Sequence, residues 1–140
     1  MDKNINQTDD TDRIRILVVD DNPGMLEITV LLLKHQGFLV TPAAGSKEAI
    51  TRIKDTPDGF DAVLTDFGMP VINGFELAGM IKELSEDMPV ILYTGKIDYI
   101  DEARLAQMGV TEIAKKPCKI DMLDSIIKKA IDKKRTRSNA

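Results

Sequence analysis

The sequence predicts an α/β fold, a doubly wound parallel five-stranded sheet in a (βα)5 arrangement with helices on both faces. Short, β-branched apolar runs alternate five times with segments of helical period, and no long insertion interrupts them. The 140 residues suit a single domain, since domains span roughly 100–200 residues. Five units are too few to close an eight-stranded barrel, so an open sheet is expected.

The first three units are delimited by turn and cap residues. Pro23 suits the first turn of a helix, Gly37 suits its end, and Ser46 is expected to cap the second helix. In chain order we predict a strand at residues 13–19, a helix at 23–35, a strand at 38–41, a helix from 46, a strand at 61–65 and a helix from 74. The residues of the first helix expected at its buried face are Met25, Ile28, Leu31 and Leu32.

The last two units are a strand at 89–93, a helix at 98–108, a strand at 111–114 and a helix from 120 to about 134. Polar composition at both ends predicts a disordered lead-in at residues 1–12 and a disordered basic tail at 135–140. The domain itself is predicted to span residues 13–134.

Charge and composition exclude several classes of function. Residues 14–127 carry 18 acidic against 11 basic side chains, which argues against a nucleic-acid surface. No apolar run is long enough for a membrane span, and no leader segment is recognisable. The single Cys118 excludes an internal disulfide. We therefore expect a cytoplasmic protein that binds neither membrane nor nucleic acid.

Polar side chains follow four of the five predicted strands. Asp20 and Asp21 follow the first, Asp66 the third, Thr94 ends the fourth and Lys116 follows the fifth. Ligands bind at this carboxyl edge in open α/β sheets. Three converging carboxylates repel one another unless a divalent cation such as Mg²⁺ binds among them. One carboxylate remains as a nucleophile toward phosphorus, so the set is chemically complete for forming an aspartyl phosphate.

Over residues 14–132 the chain resembles the receiver domains of two-component response regulators. The resemblance rests on the pair Asp20-Asp21, on the run DFGMPVING at residues 66–74, which is similar to the family's D-x-x-M-P-x-x-x-G loop, and on Thr94-Gly95 and Lys116-Pro117. It implies the flavodoxin-like strand order 2-1-3-4-5. The protein could be a stand-alone regulator or the C-terminal receiver of a hybrid sensor kinase.

The resemblance assigns a role to each of these residues. Asp66 is the implied phosphoacceptor for a phosphohistidine, and Lys116 pairs with its carboxylate and then with the phosphoryl oxygen. Thr94 moves to bond the phosphoryl group and reshapes the surface of helix four and strand five. The implied Mg²⁺ ligands are Asp21, Asp66, the backbone carbonyl of Gly68 and, through water, Asp20.

The same resemblance implies a phosphoacceptor rather than a conventional enzyme, one that assists its own phosphotransfer and slow autodephosphorylation. The implied partners are a histidine kinase or histidine phosphotransfer domain and a downstream protein target. With no effector segment recognisable in the sequence, we expect output by protein–protein contact. The expected state is a monomer or a weak dimer through helix 4, strand 5 and helix 5.

The sequence departs from the family at its switch and tuning positions. Ile113 occupies a position where the family usually has Tyr or Phe as the partner of the switching Thr; Tyr93 or Tyr99 could substitute for it. Gly68 and Lys96 occupy the positions that tune phosphate lifetime, and we expect Lys96 to approach the phosphoryl oxygens.

Two other functions share parts of this pattern. A Mg²⁺-dependent phosphohydrolase with an aspartyl-phosphate intermediate requires a second Asp two residues after the nucleophile, where this chain has Gly68. A non-phosphorylated protein-binding module of the same fold would be expected to have lost part of the site, whereas every residue of the set is present.

Overall fold

Within the described residues, five parallel strands form one open sheet flanked by helices. The computed structural model describes residues 13–95 and 102–139. The elements are β1 (Arg15–Val19), α1 (Pro23–His35), β2 (Leu39–Ala43), α2 (Ser46–Asp55), β3 (Ala62–Thr65), α3 (Gly74–Leu84), β4 (Val90–Thr94), α4 (Glu102–Gln107), β5 (Glu112–Lys115) and α5 (Ile120–Asn139). The strand order is β2-β1-β3-β4-β5, and each neighbouring pair is parallel. The predicted fold class and strand order are confirmed.

The sheet separates two apolar cores. Side chains on one face pack with α2, α3 and α4, and those on the other face pack with α1 and α5. Ile16 and Leu17 are adjacent and both fully buried, yet they belong to different cores. Successive side chains of a strand point to opposite faces, and a strand covered on both faces is apolar throughout. This explains the continuous apolar runs in the sequence.

Helix α1 buries a different face from the one that was predicted. Thr29 and Leu33 are its buried residues. The prediction was wrong because residues 28–33 are apolar apart from Thr29, so helical periodicity did not distinguish the faces. Packing against the sheet selects the buried face and leaves an exposed apolar patch formed by Ile28, Leu31 and Leu32.

The structure also corrects the ends of β2 and α2. The second strand continues through Pro42 to Ala43, beyond its predicted end at Thr41, because a proline is tolerated in an edge strand. Ser46 does not cap α2, since the cap residue is Gly45. Instead, the Ser46 hydroxyl donates to the carbonyl of Ile72 over 2.9 Å and ties α2 to the loop after β3.

The last two helices also differ from their predicted bounds. The helix predicted at 98–108 is described as Glu102–Gln107, and residues 96–101 lie outside the described part of the chain. Residues 135–139 continue α5 in place of the disordered tail predicted for 135–140, because an established helix gains one backbone hydrogen bond for each residue that extends it. The predicted lead-in at 1–12 lies outside the described residues. Across the described ranges, every helix is too short or too polar to cross a bilayer.

Candidate metal and phosphoacceptor site

Three carboxylates meet where β1 and β3 end. Asp20 and Asp21 follow β1, and Asp66 follows β3, the neighbouring strand in the sheet. One carboxylate oxygen from each residue lies within 4.8 Å of the others. Asp20 is buried, Asp66 is partly buried and Asp21 is exposed, so the cluster opens to solvent on one side. This set of oxygen donors fits a hard divalent cation, which would relieve the mutual repulsion.

Hydrogen bonds at the start of α1 hold Asp20 in place. Its N–H donates to the carbonyl of Ala43 over 3.2 Å, and its Oδ1 accepts from the N–H of Asn22 over 3.0 Å. Asn22 is also the cap of α1, since its Oδ1 accepts from the N–H of Met25 over 3.0 Å. The N-terminus of α1, where the helix dipole is positive, therefore lies next to the carboxylates.

The start of α3 packs directly against the backbone of Asp66. The N–H of Asp66 donates to the carbonyl of Val19 over 3.0 Å, and the N–H of Gly74 donates to that of Phe67 over 2.9 Å. A Cβ atom at Gly74 would lie 2.6 Å from the carbonyl oxygen of Asp66 and 2.8 Å from Cδ1 of Leu92. Because real Cβ contacts are not that short, glycine is required where α3 supports Asp66.

Lys116, which follows the edge strand β5, supplies a cation to the cluster. Its Nζ lies 3.5 Å from Oδ2 of Asp20 and 3.7 Å from Oδ1 of Asp66, and its side chain is 19% exposed. Its backbone N–H donates to the carbonyl of Thr94 over 3.0 Å. One ammonium beside three carboxylates leaves an excess of negative charge when all are ionised, which a divalent cation would neutralise.

Thr94 ends β4 and is 1% exposed. Its side chain points to the same sheet face as Leu92, two residues earlier. Ile113 also packs on this face, against the core that contains Leu92 and Leu105 of α4. Thr94 and Ile113 thus lie on the sheet face that packs with α4.

The structure brings Asp20, Asp21, Asp66 and Lys116 together. Gly68 lies in the loop between β3 and α3, and the role of its carbonyl stays a prediction. Lys96 and Tyr99 lie outside the described residues.

One contact in the site was not predicted. Nζ of Lys116 lies 4.9 Å from the ring centroid of Tyr93. Tyr93 packs on the sheet face covered by α1 and α5, opposite the face that carries Ile113, so it does not substitute for the switch aromatic. Burial raises the pKa of its phenol above the ordinary value of 10.0. Strand alternation predicts its face, but no local signal in the sequence predicts the contact with Lys116.

The family model and the known proteins that match this chain agree on one family. Residues 16–128 match the family model described as the response regulator receiver domain. The chain is 31% identical over 121 residues to the two-component response regulator ARR11 of Arabidopsis thaliana, covering 86% of this chain and 23% of that protein. It is 31% identical over 110 residues to the DNA-binding response regulator MtrA of Mycolicibacterium smegmatis, covering 79% and 47%. The chain thus spans less than half the length of either relative.

Solved structures resemble it over most of its length. A response regulator receiver domain protein from Clostridium thermocellum superposes with a TM-score of 0.79 at 33% identity, covering 88% of this chain and 98% of that one. The response regulator protein TrrA from Thermotoga maritima, solved in complex with Mg²⁺-BeF, has a TM-score of 0.73 at 32% identity, covering 84% and 98%.

Proposed function

The chain belongs to the response regulator receiver domain family, and on this basis we propose that it is a phosphoacceptor switch in two-component signalling. The Asp66 carboxylate attacks the phosphorus of a phosphohistidine on a partner kinase or histidine phosphotransfer domain. A P–O bond forms as the P–N bond breaks, and the electron pair of the broken bond stays on the imidazole nitrogen. The position of Asp66 beside two other carboxylates and the Lys116 ammonium carries this proposal.

We further propose that the divalent cation is Mg²⁺. Asp21, Asp66 and the carbonyl of Gly68 would hold it, with Asp20 acting through water. An all-oxygen donor set that leaves room for water suits Mg²⁺, and the relative from Thermotoga maritima was solved with Mg²⁺-BeF. When bound, Mg²⁺ neutralises negative charge on the transferring phosphoryl group.

Lys116 and Thr94 couple the phosphoryl group to the output surface in this proposal. The Lys116 ammonium pairs with the Asp66 carboxylate, as it does in the structure, and then with a phosphoryl oxygen. The Thr94 hydroxyl moves to the phosphoryl group, and Ile113 repacks beside it. A downstream protein then binds the changed surface of α4 and β5, or a second copy of the chain binds it and forms a weak dimer through α4, β5 and α5.

A protein as the phosphodonor is supported by the exposed patch on α1. Its residues Ile28, Leu31 and Leu32 lie on the helix that begins directly after Asp20 and Asp21. An exposed apolar patch is typical of a protein docking surface, and this one lies on the helix that starts at the carboxylate cluster. We place this exchange in the cytoplasm, where a free thiol such as Cys118 stays reduced.

Intact-protein mass spectrometry after incubation with Mg²⁺ and acetyl phosphate tests the proposed function. We expect the wild type to gain one phosphoryl mass and Asp66→Asn to gain none. Asp55→Asn, the same change at an exposed position at the end of α2, is the matched control and should be phosphorylated like the wild type. A wild type that gains no mass, or equal labelling of Asp66→Asn, would refute the phosphoacceptor role.

A further inference from the structure

The ring of Tyr93 lies close to the Lys116 ammonium. The distance of 4.9 Å from Nζ to the ring centroid is within the range of about 6 Å for attraction between a cation and an aromatic face. Tyr93 pairs with Ala114 across the β4–β5 ladder. Lys116 lies one residue beyond the end of β5, and its side chain approaches the ring from that end of the sheet.

The carboxylates by themselves hold the ammonium loosely. The distances from Nζ to Asp20 and Asp66 are 3.5 and 3.7 Å, whereas a tight charge-assisted hydrogen bond measures about 2.7–2.9 Å. A lysine side chain also loses considerable rotamer entropy when it is fixed in one position. A third contact would therefore restrict the ammonium further to the position beside Asp66.

An aromatic ring provides a restraint that does not depend on the state of Asp66. The attraction of Lys116 to the Asp66 carboxylate changes when that carboxylate is phosphorylated, whereas its attraction to the ring does not. The Tyr93 side chain is partly buried among residues that pack with α1 and α5, so the ring is itself fixed by packing.

We propose that Tyr93 is a positioning residue, whose ring keeps the Lys116 ammonium beside Asp66 both before and after phosphorylation. This inference rests on the proposed phosphoacceptor function. The phenolic hydroxyl has no role in this positioning. Phenylalanine at residue 93 should therefore preserve the phosphorylation rate, and an aliphatic residue should not.

NMR of the Lys116 side chain tests the contact without any phosphorylation. The ring current should shift the Lys116 ε-methylene resonances upfield in the wild type and in Tyr93→Phe, and this shift should disappear in Tyr93→Leu. With acetyl phosphate and saturating Mg²⁺, Tyr93→Leu should be phosphorylated about two- to fivefold more slowly than wild type. Tyr93→Phe should restore the rate.

A double-mutant comparison separates positioning from packing. In a Lys116→Gln background, Tyr93→Leu should cause no further decrease in the phosphorylation rate, and thermal unfolding shows that each variant is folded. An equal decrease in both backgrounds, or a Tyr93→Phe rate as slow as that of Tyr93→Leu, would overturn the inference. A wild type with the upfield shift but no phosphorylation would overturn the proposed function instead and leave the contact intact.

Discussion

Nζ of Lys116, which follows the edge strand β5, lies 3.7 Å from Oδ1 of Asp66, which follows β3. The lysine side chain thus reaches across the end of β4 to the acidic cluster. The ammonium is suited to stabilise the negative charge of the phosphoryl group during its transfer to Asp66, because positioned cations are a main source of catalysis in phosphoryl transfer.

Replacing this cation should slow phosphorylation. We expect Lys116→Gln to react with acetyl phosphate about 100-fold more slowly, the usual effect of removing one positioned electrostatic group. Lys115→Gln changes an exposed neighbour and should react like the wild type. The rates are followed by intact-protein mass spectrometry, and similar rates for both variants would show that Lys116 does not assist the transfer.

Mg²⁺ should stabilise the folded protein. Cation binding at about 100 times its Kd raises the free energy of unfolding by about 2.7 kcal/mol, and a chelator should remove this gain. Urea unfolding with Mg²⁺ and with EDTA measures it. A wild-type midpoint that does not respond to Mg²⁺ would argue against a metal site.

Without Mg²⁺, Asp66→Asn should be more stable than the wild type. Asp66 faces two carboxylates but one ammonium, so removing its charge relieves more repulsion than it loses attraction. The expected gain is about 1 kcal/mol, the interaction of two unit charges about 4 Å apart in water. In the same urea titrations the variant should respond less to Mg²⁺, and a loss of stability in EDTA would contradict the repulsion argument.

Alanine substitutions at the two glycines of α3 should change the free energy of unfolding in opposite directions. Gly74→Ala places a Cβ against the backbone of Asp66, so it should lower the free energy of unfolding by about 1–3 kcal/mol and slow phosphorylation. At Gly79 a Cβ meets nothing within 4 Å, so Gly79→Ala should be stabilising by up to about 1 kcal/mol. Chemical denaturation measures both, and equal effects would refute the specific role of Gly74.

Val71 is expected to be a source of backbone strain. Its φ is 68°, a region that is unfavourable for a β-branched residue, and it is 96% exposed, so its side chain contributes little burial. Val71→Gly should therefore raise the free energy of unfolding by about 1 kcal/mol. Val71→Thr keeps the β-branch and should change little. A destabilised glycine variant in thermal or urea unfolding would show that the strain is compensated elsewhere.

The exposed apolar patch on α1 should affect phosphoryl transfer from protein donors but not from acetyl phosphate. Leu31 is 60% exposed, and Leu31→Ser should slow transfer from phosphorylated histidine phosphotransfer domains about tenfold, since burying a leucine side chain in an interface is worth about 1.5–3 kcal/mol. Its reaction with acetyl phosphate should not change. Leu84→Ser, an exposed site at the end of α3, is the control. Equal donor-domain rates for the two variants would exclude α1 as the docking surface.

The candidate site was accessible from the sequence because it lies at the ends of strands. Short apolar runs identify the strands, and the carboxyl ends of parallel strands share one edge. Asp20, Asp66 and Lys116 could therefore be placed together without coordinates, and the structure puts Nζ of Lys116 within 3.7 Å of both carboxylates.

Other features of the structure depend on contacts between elements that are distant in sequence. Helical periodicity does not identify the buried face of α1, because residues 28–33 are almost uniformly apolar. The sequence predicts Ser46 as a helix cap, but its hydroxyl donates to the carbonyl of Ile72. Ser46 and Ile72 are far apart in sequence, and local pattern contains no information about such pairs.

By itself, the sequence determined the alternation of strands and helices and the residues at the carboxyl edge, because periodicity and turn chemistry are local properties. Only the tertiary structure decided that Tyr93 lies beside Lys116, that Gly74 packs on the backbone of Asp66, and that α1 leaves three large apolar residues exposed. Each of these depends on the packing of elements distant in sequence, which sheet order and close packing establish together.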